Sequence, residues 1–174
     1  MEEQIVNRVA KSSLISLDLE DYYDRSEKVV YDIADQLFQG LILREKDFRQ
    51  HIKEHDWEVY AGKNVAIICS ADAIVPTWAY MLVTVSLKPY AKEIIFGTEQ
   101  ELDKYLISKN IASAIHGPSY EDSKVVIKGC GDLNLSAYAY VEVVKILQPY
   151  CKSIMYGEPC SIVPVYKKKK PSGS

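Results

Sequence analysis

Three cysteines stand at or just after the ends of predicted strands, and their thiolates are the side chains of this chain best suited to soft-metal or sulfur chemistry. Cys69 and Cys130 each end the first strand of a predicted strand-helix-strand unit, and Cys160 lies just past the last strand. Ligand sites in open α/β sheets lie outside the carboxyl ends of the strands, near helix N-termini that favour thiolates. The pattern therefore predicts that these cysteines share one sheet edge and bind zinc or an iron-sulfur cluster.

Cys130 and Cys160 form the pair that we expect to share a ligand or exchange sulfur, and Asp132 is a cofactor-binding candidate beside them. Cys160 lies in an irregular loop that Pro159 and Pro164 bracket, and such loops often carry function. Cys151 begins a strand and should lie at the opposite end of the sheet. In a chain of this kind, the cysteines are expected to be free thiols or ligands rather than disulfides.

The alternative is that the thiols are small buried hydrophobes without a ligand. No Cys-x-x-Cys pair occurs, and the internal repeat described below aligns Cys69 with Gly129 rather than with Cys130. That offset of one residue would turn the two thiols to opposite faces of a regular strand. Both interpretations stay open at the level of sequence.

Other polar candidates have simpler interpretations. Asp72 and Asp132 each follow a strand and precede a helix, where an aspartate usually bonds to backbone amides of the turn. His51, Glu54 and His55 spell the inverted zinc-protease order His-x-x-Glu-His, but no third ligand follows. The pattern favours surface residues over a zinc site for the two histidines.

An ungapped internal repeat supplies the elements that would position these residues. Residues 65–97 align with residues 125–157. Identical pairs are Val65/Val125, Ile67/Ile127, Asp72/Asp132, Ala79/Ala139, Tyr80/Tyr140, Val83/Val143, Leu87/Leu147, Pro89/Pro149, Tyr90/Tyr150, Lys92/Lys152, Ile94/Ile154 and Gly97/Gly157. So many matches without a gap indicate an ancestral duplication.

Each copy reads as a strand, a helix that Pro89 or Pro149 stops, and a second strand, which is a βαβ unit with parallel strands. Between the copies, Thr98 and Glu101 have the spacing of a capping box and predict a helix through about Lys109. The sequence therefore predicts an α/β fold, with one mostly parallel sheet built from two duplicated βαβ units and helices on its faces.

We interpret residues 1–174 as a single domain with an N-terminal extension, residues 1–62, and a flexible basic tail, residues 167–174. In the extension, residues 29–33 and 41–43 read as short strands and residues 12–28 as surface loop. Residues 45–54 read as a helix with Phe48 and Ile52 turned inward.

The helices of the two copies differ in polarity. Leu82 and Val85 of the first copy stand where the second has Glu142 and Lys145. The first helix therefore has an extra apolar face, which we expect to be covered by the N-terminal extension or by a second subunit. This difference is the basis for expecting a homo-oligomer.

Composition excludes several classes of partner. The chain of 174 residues has 21 basic and 24 acidic residues, and leaving out the four lysines 167–170 gives 21 − 4 = 17 against 24. An acidic body argues against nucleic acid, which is usually bound by a basic face. The acidic start Met1-Glu2-Glu3-Gln4 and the lack of a long apolar run predict a cytoplasmic protein that does not bind or span a membrane.

Several long strings resemble a known family. They are LDLEDYY from Leu17, DQLFQGLILREKDFR from Asp35, HDWEVYAGKNVAIICSADAIVPTWAY from His55, VVIKGC from Val125 and SIMYGEPCSIVPVYK from Ser153. The chain resembles the bacterial family called domain of unknown function 2480 over residues 5–168. The family is uncharacterised, so the resemblance implies little about chemistry. It implies iron-sulfur assembly proteins as partners, because members occur beside iron-sulfur assembly genes.

Two functions follow as expectations. The first is an accessory protein whose thiols bind a metal, an iron-sulfur cluster or transferred sulfur. The second is a non-catalytic binding or scaffold protein that acts as a homo-oligomer. A hydrolase ranks third, because the sequence has no nucleophile elbow, phosphate loop or glycine-rich dinucleotide motif.

Overall fold

The structure, a computed structural model, describes residues 14–129, 131, 133, 135–158 and 161–169. Its helices and strands are, in chain order, β1 (Leu14–Leu17), β2 (Lys28–Asp32), α1 (Glu45–Glu54), β3 (Asn64–Ile68), α2 (Thr77–Leu87), β4 (Glu93–Phe96), α3 (Glu99–Ala114), β5 (Lys124–Ile127), α4 (Ala137–Leu147), β6 (Ser153–Glu158) and β7 (Ser161–Lys167). Unit 1 comprises Met1–Asp24 and Leu106–Ser174, and unit 2 comprises Arg25–Tyr105. The prediction of a single domain stays a prediction.

Unit 2 contains a three-stranded parallel sheet in the order β2-β3-β4. The central strand β3 is apolar throughout its second half, as expected of a parallel strand that is covered on both faces. The core of the unit contains Phe48 from α1 and Val83 from α2, both fully buried.

Unit 1 contains a four-stranded sheet in the order β1-β5-β6-β7. The first three strands are parallel, and β7 returns antiparallel to β6. Helix α4 packs a stripe at helical spacing, Ala139, Val143 and Leu147, onto the core of this unit.

The α/β class and the parallel pairing within each predicted βαβ unit are confirmed. The prediction of one sheet is wrong, because β3 and β4 lie in one sheet and β5 and β6 in another. Each pair is completed by an N-terminal strand, β2 beside β3 and β1 beside β5. This added strand supplies hydrogen-bond partners for backbone N–H and C=O groups that would stay unpaired at the edge of a two-stranded sheet.

Equivalent turns, 60 residues apart in sequence, have the same geometry. Gly62 and Asp122 both have positive φ, 71° and 53°, and each N–H donates to the carbonyl of a tyrosine that follows the next helix, Tyr90 or Tyr150. The last residue of each of the helices α2 and α4 is followed by a C-cap residue that still has helical backbone angles. The predicted proline stop comes next in the sequence.

Local signals placed most helices correctly. The capping box is present, since the Thr98 N–H donates to the Glu101 carboxylate at 2.7 Å and the Glu101 N–H to the Thr98 hydroxyl at 3.3 Å. Helix α3 continues to Ala114, beyond the predicted end. Helix α1 has the predicted bounds, with Phe48 buried and Ile52 packed against the core.

Three expectations for the terminal regions need correction. The predicted loop of residues 12–28 contains β1, and residues 41–43 form no strand but part of a tight turn. Lys167 belongs to β7, so the predicted tail begins inside a strand. These segments pair with distant strands or close on themselves, which local patterns do not encode.

The extra apolar face of α2 is covered only in part. Leu82 packs against the core of unit 2, whereas Val85 is 70% exposed within the chain. Cover by a second subunit therefore stays a prediction for Val85. No helix within the described residues is long and apolar enough to cross a bilayer.

Candidate functional site

The carboxyl ends of β5 and β6 lie side by side, because these parallel strands pair Ile127 with Tyr156. Cys130 and Asp132 follow β5 in sequence, and Cys160 lies between β6 and β7. All three lie outside the described residues, so their predicted roles stay predictions. The register brings the chain that leads to Cys130 and the chain that leads to Cys160 to the same edge of the four-stranded sheet. The expectation that Cys160 lies past the last strand, in an irregular loop bracketed by Pro159 and Pro164, is wrong, because β7 follows it and includes Pro164.

Cys69 follows β3 and belongs to the other sheet, so the expectation that three cysteines share one sheet edge is wrong for Cys69. Its half-buried thiol lies 3.7 Å from the carbonyl of Ala71. Cys151 precedes β6 at the amino end, as expected, and is fully buried. Burial and the nearby Glu121 raise the pKa of this thiol to about 11, and both described cysteines are free. Cys151 is therefore an inert core residue.

Two acidic residues after β1 hold the loop that follows β5. The Glu20 carboxylate accepts a hydrogen bond from the Leu133 N–H at 2.6 Å. Asp18 forms an ion pair with Lys128 at 3.1 Å, and this hydrogen bond lowers the pKa of Asp18. A Cβ at Gly131 would lie 2.0 Å from a carboxylate oxygen of Glu20, so a larger residue there would displace this side chain from the Leu133 N–H. The two carboxylates thus contact Lys128 and Leu133, which are described residues on either side of Cys130 in sequence.

Tyr156 connects the end of β6 to the same loop. Its hydroxyl donates to the Gly129 carbonyl at 3.3 Å, and its ring meets Tyr140 edge to face with centroids 5.6 Å apart. A Cβ at Gly129 would lie 2.5 Å from the Tyr156 ring. The ring therefore packs directly on the backbone that precedes Cys130.

An apolar groove with a volume of about 670 Å³ lies beside this loop in unit 1. It is lined by Ile127, Leu135, Ala137, Tyr140, Val141, Val144, Lys145, Tyr156 and Val165. Among these described residues Lys145 alone is charged, and its ammonium group is paired with Glu142 at 2.8 Å. The groove is suited to apolar groups rather than to ions. We call this surface the groove.

At the carboxyl edge of the other sheet, Asp32 performs the role that the sequence suggested for Asp72. Its carboxylate accepts hydrogen bonds from the Ala34 N–H at 2.9 Å and the Ser70 N–H at 3.0 Å. Burial raises the pKa of Asp32, but these hydrogen bonds outweigh burial and lower it. Asp72 is exposed. The missed signal was an aspartate at the carboxyl end of a strand, since Asp32 is the last residue of β2 and Asp18 directly follows β1.

His51 and His55 belong to an aromatic cluster rather than to an open surface. His51 Nε2 shares a hydrogen bond of 2.9 Å with the Tyr31 hydroxyl, and His55 Nε2 lies 3.2 Å from the Tyr60 hydroxyl. Trp57 stacks on Tyr31 with centroids 5.5 Å apart. Burial, and then the neighbouring His55, lower the pKa of His51. Both histidines are half-buried, so the interpretation of them as surface residues holds only in part.

The three-stranded sheet presents apolar side chains from all three connections at its carboxyl edge. A tight turn after β2 has φ of 54° at Gln39 and 70° at Gly40 and exposes Leu41 and Ile42 by 63% and 60%. The loop after β3 exposes Ile74, and Phe96 is exposed at the end of β4. We call Phe38, Leu41, Ile42, Ile74 and Phe96 the apolar tips. Sequence reasoning missed Leu41 and Ile42 because it assigned residues 41–43 to a strand.

No group of three or more histidine, cysteine, aspartate or glutamate side chains that could hold a metal ion occurs among the described residues. Cys130 and Cys160 are outside that part of the chain. The predicted site at Cys130, Asp132 and Cys160 stays a prediction.

Comparison with known proteins gives a family but no activity. No curated protein and no solved structure is significantly similar to the chain. The model of one family, described as protein of unknown function (DUF2480), matches residues 3–168. Since the match covers nearly the whole chain, from the residues before β1 to those after β7, this protein belongs to the DUF2480 family.

Proposed function

We propose that this protein is a non-catalytic binding or scaffold protein that uses the groove of unit 1 to hold apolar groups. The observation that carries the proposal is the groove itself, whose volume of about 670 Å³ lies within the range of ligand-binding pockets, roughly 300–1,000 Å³. Exposed apolar surface of this kind marks binding sites in proteins.

The composition of the groove favours binding over catalysis. Its one described charge, Lys145, is already neutralised by Glu142 and is exposed to solvent. The Tyr156 hydroxyl is engaged by the Gly129 carbonyl. The rest of the groove lining is aliphatic and aromatic. Each apolar group of leucine size that becomes fully buried there contributes about 1.5–3 kcal/mol to the free energy of binding.

Binding of the neutral dye Nile red tests this function. At sub-micromolar protein concentration we expect its fluorescence to rise on binding, and Val141→Glu should abolish the rise because it places a charge in the groove. Met81→Glu is the matched control, since Met81 occupies the equivalent position of α2 and is similarly exposed, at 63% against 57% for Val141. Equal loss in both variants, or no binding to the wild type, would refute the proposed function.

A thiol-based accessory function is the second candidate, and the pairing of β5 with β6 favours it. Because Ile127 and Tyr156 are neighbours in the register, the segments leading to Cys130 and Cys160 start from adjacent strand ends. Glu20 accepts a hydrogen bond from the Leu133 N–H in the segment after β5. In this candidate the two thiolates bind zinc, an iron-sulfur cluster or transferred sulfur, in the cytoplasm and with iron-sulfur assembly proteins as partners.

Anaerobic purification followed by metal analysis and an absorption spectrum tests the second candidate. Bound metal or sulfide is expected in the wild type and in Cys69→Ser, which serves as the control. Cys130→Ser and Cys160→Ser should each lose it. Protein purified without metal or sulfide, with thiol reactivity unchanged in those two variants, would leave only the binding function.

We also infer that the two units descend from one duplicated ancestor that included the N-terminal strands. Support comes from Asp18, which follows β1, and Asp32, which ends β2, because each accepts a hydrogen bond from the N–H two residues later. Further support comes from the edge-to-face pairs Tyr80–Phe96 and Tyr140–Tyr156. Superposition of the two units in an experimental structure tests this, and unmatched turns at residues 62 and 122 would contradict it.

A further inference from the structure

We propose that the β4 edge of the three-stranded sheet in unit 2 is a homodimer interface, in which β4 pairs antiparallel with β4 of a second copy. This inference goes beyond the proposed function, because it concerns unit 2 and does not involve the groove of unit 1. It also assigns a cover to Val85, whose side chain is exposed within the chain.

The two units differ at the outer edge of two strands that correspond in the internal repeat. β4 aligns with β6, through the identical pairs Ile94/Ile154 and Gly97/Gly157. The outer edge of β6 is covered by the antiparallel strand β7. Among the strands that the structure describes, β4 pairs with β3 alone. Unit 1 therefore shows that this type of strand takes an antiparallel neighbour, and in unit 2 that neighbour has to come from elsewhere.

Apolar residues of α2 occupy the positions that face the added strand in unit 1. Val141 and Lys145 of α4 line the groove together with Val165 of β7. The aligned residues of α2 are Met81 and Val85, which are 63% and 70% exposed within the chain. A strand added to β4 would lie beside them, as β7 lies beside α4.

Phe96 at the end of β4 is the largest apolar side chain at this edge. Its ring meets Tyr80 of α2 edge to face, with centroids 5.1 Å apart, as Tyr156 meets Tyr140 in unit 1. Phe96 is nevertheless 73% exposed. Burying an apolar side chain of this size contributes about 1.5–3 kcal/mol, and a symmetric dimer buries two of them.

The backbone of β4 sets the register of the paired strands. The Gly97 N–H donates to the Ile67 carbonyl of β3 at 3.0 Å. Because backbone groups alternate in direction along a strand, those of Ile94 and Phe96 point away from β3. In an antiparallel pair centred on Ile95, Ile94 of each copy exchanges both hydrogen bonds with Phe96 of the other.

This register is self-complementary. Ile95 lies opposite Ile95 of the other copy, and Glu93 lies opposite Gly97, so no like charges oppose each other. A two-fold axis through the centre of the pair keeps both α2 helices on the same face of the joined sheet. Met81 and Val85 of both copies then flank the joined strands, and the assembly closes as a dimer.

Two other edge strands are less suited to such pairing. β7 contains Pro164 and a β-bulge, and both features protect an edge strand from further pairing. β2, at the opposite edge of the three-stranded sheet, carries a charge at each end, Lys28 and Asp32. β4 has neither proline nor a bulge, and its one charged residue is Glu93. The β4 edge is therefore the one that favours a second copy.

Sedimentation equilibrium from about 1 to 100 µM protein, a range that brackets micromolar Kd values, tests the inference. The wild type should be a dimer at the upper end, since strands of four residues give a small interface. Phe96→Glu and, separately, Val85→Lys should each raise the dimer Kd at least tenfold, because each places a charge in the interface. Both residues are mostly exposed within the chain, so the urea midpoint should stay close to that of the wild type.

Two matched controls introduce the same charges elsewhere. Leu41→Glu and Val59→Lys alter residues that are 63% and 50% exposed and lie outside α2 and β4. Each should leave the dimer Kd within about twofold of the wild-type value.

Cross-linking through an introduced cysteine tests the register. In a background with Cys69, Cys130 and Cys160 replaced by serine, Ile95→Cys should form an intermolecular disulfide on oxidation with diamide. Opposed residues of a pair without mutual hydrogen bonds have Cα atoms about 4.5 Å apart, within the range of a disulfide. Ile94→Cys is the control, because its counterpart in the other copy is offset by two residues, at roughly 7–8 Å. It should cross-link far less.

Three results would overturn the inference: a wild type that stays monomeric over the whole range, a dimer whose Kd neither Phe96→Glu nor Val85→Lys changes, or equal cross-linking of Ile95→Cys and Ile94→Cys. Nile red separates this failure from failure of the binding function. Val85→Lys lies outside the groove lining and should bind the dye as the wild type does. A wild type that dimerises but binds no dye would refute the binding function alone.

Discussion

Removing the Asp32 carboxylate should destabilise unit 2 more than any other surface carboxylate change at the same sheet edge. This carboxylate joins the turn after β2 to the loop after β3 through the Ala34 and Ser70 amides, at 2.9 and 3.0 Å. Hydrogen bonds from backbone amides to a charged acceptor contribute about 1.5–3 kcal/mol each, and loss of an N-cap costs about 0.5–2 kcal/mol. Because Asp32 is partly exposed, we expect Asp32→Ala to cost about 2–3 kcal/mol in total.

The assay is urea unfolding followed by circular dichroism at neutral pH. Asp72→Ala is the matched control, because Asp72 is exposed on the same loop, and it should change the free energy of unfolding by no more than about 0.5 kcal/mol. Asp32→Asn keeps one acceptor oxygen, so its free energy of unfolding should fall between those of Asp32→Ala and Asp72→Ala.

The pH dependence follows from the direction of the pKa shift. The pKa of Asp32 in the folded protein is below its ordinary value of 3.8. Its contribution is therefore complete above that value and is lost as pH falls through the lowered pKa, so wild type and Asp32→Ala should converge in strong acid. An Asp32→Ala variant as stable as the wild type, or an Asp72→Ala variant that is less stable than it, would refute the role assigned to Asp32.

Three further predictions concern buried or half-buried groups. Asn64 is fully buried, and neither polar atom of its side chain has a partner among the described residues, so Asn64→Leu should raise the free energy of unfolding by about 1–3 kcal/mol; a fall in the urea midpoint would contradict this. The pKa of His51 is lowered from 6.5 in the folded protein, so its neutral form is favoured and stability should decline as pH falls below that value. His51→Gln should flatten this decline in urea midpoints measured from about pH 5 to 8, and an unchanged profile would count against it. Cys151 is buried with a pKa of about 11, so an aromatic disulfide reagent at mildly alkaline pH should label Cys69 before Cys151, and equally fast labelling would show that the core opens readily.

Local sequence signals determined the individual elements. Helix α1 has its predicted bounds because its apolar residues recur at helical spacing, and α3 begins where Thr98 and Glu101 form the predicted capping box. The parallel strands within each βαβ unit also followed from sequence, since a helix between two strands imposes a parallel crossover. Each of these features depends on residues that are close along the chain.

Sequence reasoning failed where the partner of a strand is distant. β1 pairs with β5, whose residues lie more than a hundred positions later, as in Leu17 with Ile127. No local pattern encodes which edge of a βαβ unit such a short strand will join. The structure therefore contains two sheets with three parallel strands each, one of which is extended by β7. The sequence had predicted a single sheet.

In the candidate site, too, local signals could be read from the sequence and long-range contacts could not. The cysteine pattern drew attention to the ends of β5 and β6, and the register places these ends side by side. The groove could not be predicted, because it is formed by α4, the end of β6 and the antiparallel strand β7 together. Nor could the exposure of Leu41 and Ile42, which are apolar residues that a sequence pattern assigns to a core. Sequence determined the four helices and strands β2 to β6, because those depend on neighbouring residues. Only tertiary packing decided that the segments of β1 and β7 pair as strands and which apolar surfaces are covered or exposed.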